Sequence, residues 1–223
     1  MNIINAKDIK HQHLTVLIYG TPGMGKTTLL GNLNGRTLIV DVDKGTSVLI
    51  GNKNNENVDV LRLEALREFS ELVKQLRESC PYDNVCLDSI SELERSILTR
   101  LASANNNGIP SQQDYGKINV SIMNICRQLR EIHANIFFTA WEKYTEVVAP
   151  SGEKYSRIEP LIRDKNMDNI VGLCDITGRL YLDRESEERR VWLEARPNII
   201  AKDRVYKRQS CACEEVIPCE LSS

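Results

Sequence analysis

Apolar positions in this chain follow two rhythms. Short unbroken runs, "LTVLIYG" (14–20), "RTLIVDVD" (36–43), "VDVLRL" (58–63), "NVCLD" (84–88) and "NIFFTAW" (135–141), have the length and composition of strands buried on both faces. Between them the period lengthens. "KTTLLGNL" opens a helix; Leu66, Phe69, Leu72, Val73 and Leu76 fall on one helical face, and Ile118, Ile122, Ile125, Leu129 and Ile132 on another. Five apolar strands separated by helical crossovers predict an α/β fold, a parallel sheet flanked by helices. After residue 141 the pattern alternates. "YTEVVAPSGEKYSRIEP" reads as two short strands around a Pro-Ser-Gly turn, and "GRLYLDRESEERRVWLEARP" as a second hairpin with a charged tip, so antiparallel hairpins are expected on the C-terminal side of the sheet. One boundary stands out, near residue 209: a domain over 1–209 and a flexible, Cys-containing tail over 210–223.

With 223 residues, 41% of them hydrophobic and 27% charged, the chain can build one sizeable core. The formal net charge of -2 argues against coating nucleic acid by bulk positive charge and leaves only a local basic stripe for such contact. No run of about 18 apolar residues is present, and "MNIINAKDIKHQHL" lacks the features of a signal peptide, so a cytoplasmic protein with no membrane partner is expected. Cys80, Cys86, Cys126 and Cys174 are scattered singly, which predicts no disulfides. Cys211, Cys213 and Cys219 crowd the end, one ligand short of a closed tetrahedral zinc site, and read either as part of a metal site completed from elsewhere or as part of the mobile tail.

The chemistry begins at residue 20. Residues 20–27 spell G-x-x-x-x-G-K-T, with a strand before and an amphipathic helix after. Gly20, Thr21, Pro22, Gly23, Met24 and Gly25 would curl so that backbone N–H groups point at a polyphosphate. Lys26 would reach the β and γ phosphates, Thr27 would ligate magnesium at the start of the helix, and Thr28 completes the set of nucleotide-binding residues. The alternative is a mere Gly-rich turn. "VCLDSISELE" ends a strand in Asp88, which places a carboxylate beside that loop, as a magnesium partner or as a helix N-cap with Glu92 behind it. In "IVDVDKG", Asp41 and Asp43 close another strand and point to one side; either could orient or deprotonate an attacking water, or simply start a turn.

"GTPGMGKTT", "DVDKG", "CLDSIS" and "FFTAW", in that order, resemble the RecA-like recombinase core over about residues 12–208. Within it, they resemble the short phage nucleotide-binding proteins related to Sak-type single-strand annealing ATPases. The resemblance implies a RecA-like P-loop fold, ATP and Mg2+ as cofactors, and a homo-oligomer working on single-stranded DNA, with a single-strand DNA-binding protein as a further partner. In a phage it would work in the host cell cytoplasm. It places Asp43 where the family has a catalytic glutamate one methylene longer, and it makes Thr139, with Trp141 and Glu142 as weaker candidates, the donor to a γ-phosphate. Trp141 reads equally as buried filler. Residues 143–170 match a mobile DNA-contacting loop, with Lys143, Lys154, Arg157, Arg163 and Lys165 between Tyr144 and Tyr155; interleaved acids also suit a solvated hairpin. Lys202 and Arg204 occupy the place from which a neighbouring subunit inserts cations, or else lace a strand edge with ion pairs.

Catalytic candidates are thus Lys26, Asp43, Asp88 and Thr139. The leading expectation is an ATPase acting on single-stranded DNA in recombination, annealing or replication. A non-hydrolysing nucleotide switch that loads replication proteins and a small-molecule kinase are the alternatives.

Overall fold

A computed structural model describes Asn5 and residues 13–51, 56–63 and 66–218. Its strands are β1 (Thr15–Gly20), β2 (Thr37–Asp41), β3 (Val58–Arg62), β4 (Asn84–Asp88), β5 (Asn135–Val148), β6 (Lys154–Pro160), β7 (Ile176–Leu182), β8 (Arg189–Trp192), β9 (Lys202–Asp203) and β10 (Ser210–Ala212). The helices are α1 (Lys26–Gly31), α2 (Leu66–Glu78), α3 (Ile90–Ser103), α4 (Gln112–Arg130) and α5 (Asp164–Leu173). The main sheet runs β10-β8-β7-β1-β5-β4-β2-β3, with β3, β2, β4, β5, β1 and β7 parallel. The predicted α/β class and its antiparallel additions are therefore present.

β1, β2 and β4 are buried along their whole length because helices cover both faces. One face carries Leu17, Tyr19, Val40, Leu87 and Phe138 against residues of α2 to α5. The other carries Val16, Ile18, Ile39 and Phe137 against α1 and the C-terminal segments. β3 departs from the expectation of a buried strand: it is the sheet edge, and Asp59, Val60 and Arg62 are exposed.

Three further differences concern the second half. β7 is a sixth parallel strand beside β1 as well as the first arm of the β7–β8 hairpin. The region expected to be a loop over 143–170 is ordered: β5 continues to Val148, turns, and pairs antiparallel with β6, and α5 follows. The segment after 209 does not leave the fold, since β10 pairs with β8 and both Cys211 and Val216 are buried. Cys219 lies outside the described residues. Among those described, no cluster of metal-ligating side chains forms, and no helix is long and apolar enough to cross a membrane.

The β7–β8 pairing leaves little room. A Cβ on Gly178 would stand 2.3 Å from Val191 Cγ1 and 3.0 Å from Leu193 Cδ2. Gly178→Ala is therefore expected to cost about 1–3 kcal/mol, read as a lower midpoint in urea denaturation with an unchanged slope.

Candidate nucleotide site

The loop between β1 and α1 is set by its glycines. Gly25, the residue before α1, has φ +103°, a conformation that a side chain resists. At the other end, a Cβ on Gly20 would stand 2.8 Å from the Leu180 carbonyl of β7, so only glycine lets the strand pass this close. Lys26 is buried, and its ammonium donates to the carbonyls of Gly20 (2.9 Å) and Thr21 (3.0 Å), which closes the loop into a ring. Burial lowers its pKa, opposed by the carboxylates of Asp88, Asp43 and Glu142.

Asp88 ends β4, one strand removed from β1 with β5 between them. It faces the loop nonetheless. Thr27 Oγ1 donates to Asp88 Oδ2 at 2.6 Å, and Thr139 Oγ1 donates to Asp88 Oδ1. The helix-cap alternative for Asp88 does not hold, because Ser89 is the N-cap of α3, its hydroxyl accepting from the Glu92 amide. Thr139 has a different role from the one expected. It is fully buried and its single hydroxyl proton goes to Asp88, so it aligns that carboxylate and has no proton left for a phosphate.

β2 ends at Asp41, which leaves Asp43 in the turn beyond it, so the two do not share a strand face. Asp41 is buried and fully used: it accepts from the amides of Gly45 (3.1 Å) and Thr46 (3.3 Å) and from the Thr46 hydroxyl (2.5 Å). It holds the turn. Asp43 is half-buried and, among the described residues, accepts only the Gly45 amide, at 3.2 Å. Burial, with the carboxylates of Asp88 and Asp41 close by, raises its pKa to about 6.

Midway along β5, one residue past the Gly20–Trp141 pair, Glu142 is paired with Arg179 (3.0 Å), and Trp141 is half-buried with the Arg95 guanidinium over its ring at 4.5 Å. Trp141 is thus a stacking surface more than core filler. Ser91, in the first turn of α3, joins these parts, because its hydroxyl accepts the Trp141 amide (2.9 Å) and donates to the Leu161 carbonyl (2.8 Å). Behind it opens a cleft of about 670 Å³ bordered by α3, α4 and the segment before α5. Arg163 lies over the Tyr115 ring there, and buried Glu94 accepts the Arg163 amide, burial raising its carboxyl to about 7.

Not all predicted residues meet at the loop. Lys202 pairs with Thr177, early in β7, and so sits toward the opposite end of the sheet; Lys202 and Arg204 donate to the carbonyls of Gly172 and, for Arg204, Cys174 at the end of α5. Several hairpin cations are already neutralised: Lys143 by Asp164 and Glu159, Lys154 by Glu146, and Arg157 by Glu159. One residue was not foreseen. Arg189, at the start of β8, lies across Gly25, with its Cδ 3.2 Å from the position of a Cβ there.

A curled loop closed by lysine, at the carboxyl edge of a mostly parallel sheet and facing a threonine–aspartate pair, defines a phosphate-loop nucleotide-binding domain. The model of the AAA domain family matches residues 12–205, and the chain belongs to that family of P-loop ATPase domains. No curated protein matches it significantly. Among solved structures, a KaiC-like protein from the hyperthermophilic archaeon Pyrococcus horikoshii is similar at 14% identity and a TM-score of 0.42, over 80% of this chain and 77% of that one.

Proposed function

We propose that the chain is a magnesium-dependent ATPase that works, as a homo-oligomer, on single-stranded DNA in phage-type recombination or annealing. The observation that carries the hydrolytic part is the fixed Asp88 carboxylate, held by Thr27 and Thr139, with the half-buried Asp43 close enough for the two charges to repel. Such a cluster of hydroxyl and carboxylate oxygens fits a hard divalent cation beside phosphates. Thr27 and Asp88 would hold magnesium, which when bound neutralises charge on the β and γ phosphates.

The chain's own groups supply the rest. The loop amides and Lys26 hold the phosphates, and Thr139 keeps Asp88 from rotating. Asp43, with a pKa near 6, is ionised at neutral pH yet basic enough to accept a proton from an attacking water.

The DNA reading rests on the cleft rather than the hairpin, whose cations are mostly paired internally. Trp141 with Arg95 and Tyr115 with Arg163 offer two aromatic–guanidinium stacks of the kind that carry bases of a single strand. Ser91 lines this cleft three residues after Asp88, and its hydroxyl bonds both Leu161 on the cleft wall and the Trp141 amide, which gives the strand a route to the nucleotide site. Phosphate release by the purified protein is expected to rise severalfold on addition of oligo-dT, and to vanish in Lys26→Ala. Arg95→Ala with Arg163→Ala should remove the DNA response and leave the basal rate. ATP binding without turnover would favour the nucleotide switch instead.

A further inference from the structure

We propose that Arg189 supplies, from the same chain, a guanidinium cation to the phosphates of the bound nucleotide; this rests on the nucleotide reading of the loop given above. Pairing places it there. Arg189 opens β8 opposite Leu182, the last residue of β7, and β7 runs beside β1, so β8 begins at the edge of the sheet where the loop begins. A Cβ built on Gly25 would meet Arg189 Cδ at 3.2 Å, Nε at 3.3 Å and Cζ at 3.6 Å. The side chain therefore lies along the turn itself and not merely in its vicinity.

Two features set this arginine apart from its neighbours. Arg179, Arg190, Arg196 and Arg208 all donate to named partners. The exposed Arg189 side chain makes no hydrogen bond or ion pair among the described residues, although its five N–H groups are at the mouth of an anion-binding loop. Its backbone, by contrast, is tied down. Cys213 Sγ donates to the Arg189 carbonyl at 3.3 Å, and β10 pairs along β8 through Cys211 and Val191. The C-terminal segment thus fixes the backbone from which a free cation extends, an arrangement that lowers the entropy lost on contact with a ligand.

The target follows from the loop. Amides around the glycine before the motif lysine cradle the α and β phosphates, which ATP and ADP share. Arg189 is accordingly a binding and charge-neutralising residue for both nucleotides, distinct from the γ-phosphate side marked by Asp43 and Asp88. A simple packing role over Gly25 would depend on the bulk of the side chain, whereas this role depends on its charge.

Calorimetric titration of ATP and of ADP into wild type, Arg189→Gln, Arg189→Lys and Lys26→Ala separates the cases, with thermal melts confirming the fold of each. Arg189→Gln is expected to weaken both nucleotides about tenfold, and Arg189→Lys to stay within about threefold of wild type. Unchanged affinity in Arg189→Gln, or equal losses in the Gln and Lys variants, overturns the proposal while binding that is lost only in Lys26→Ala leaves the loop reading intact. A wild-type protein that binds neither nucleotide overturns the loop reading, and Arg189 with it.

Discussion

Asp88→Asn is expected to leave the protein folded and to lower ATP turnover on the order of 10²- to 10³-fold, the loss typical of removing one precisely aimed electrostatic partner. The asparagine keeps the shape of the side chain. Its carbonyl oxygen still accepts one of the two threonine protons, and the hydroxyl of the other threonine can turn to accept from the amide, so few buried polar atoms are stranded. What disappears is a full negative charge between Thr27 and Thr139. Asp43 reports that loss independently: the Asp88 carboxylate is the largest charge raising its pKa, so the variant should shift the Asp43 titration downward. Steady-state phosphate release and an NMR titration of the nucleotide-free variant check the two effects. A variant with normal turnover would show that the carboxylate only braces the threonines.

The phosphate loop and Asp88 were legible because their local pattern forces their place. A glycine-lysine-threonine turn between an apolar strand and a helix has one geometry, and an aspartate ending a buried parallel strand must reach the carboxyl edge. Asp43 was expected to close a strand beside Asp41, but Asp41 already ends β2 and Asp43 lies in the turn beyond it. Thr139 was expected to donate to a phosphate, and its hydroxyl donates to Asp88. Which acceptor its one proton serves is decided by the spacing of β4 and β5, which no run of letters records.

Other features depend on contacts between distant segments. Arg189 is one charge among many in "DRESEERRVW", and only the β7–β8 register beside β1 brings it onto Gly25. The amphipathic signal of α5, Met167 and Ile170 buried, was hidden by the charges around it. In the last stretch, "SCACEEV" looked like a tail because its apolar residues are few. Cys211 and Val216 nonetheless fill the space beside Val191 and Leu193, and that small burial suffices where β10 needs only three paired residues.

Asp43→Asn should lower turnover about 10²- to 10⁴-fold while retaining nucleotide binding, because it removes a half-exposed carboxylate able to take a proton from water. For the wild type, kcat/KM should rise with pH along a limb whose midpoint is about 6, the pKa to which burial and the neighbouring carboxylates raise this group in the free protein. The same shift fixes a sign for stability. A carboxyl whose pKa is higher in the folded chain than the ordinary 3.8 favours folding when protonated, fully below about pH 4, and that contribution is lost as pH rises through about 6. Above pH 6 the ionised Asp43 is a burden that asparagine lacks. Asp43→Asn should therefore match wild type in urea denaturation at pH 4 and exceed it at pH 8 by about 1 kcal/mol, a figure reduced for the solvent that reaches this half-exposed group. Loss of turnover together with gain of stability at high pH would mark a group held in a strained charge state for catalysis; equal stability at both pH values would mean that Asp43 is not perturbed and that another base accepts the proton.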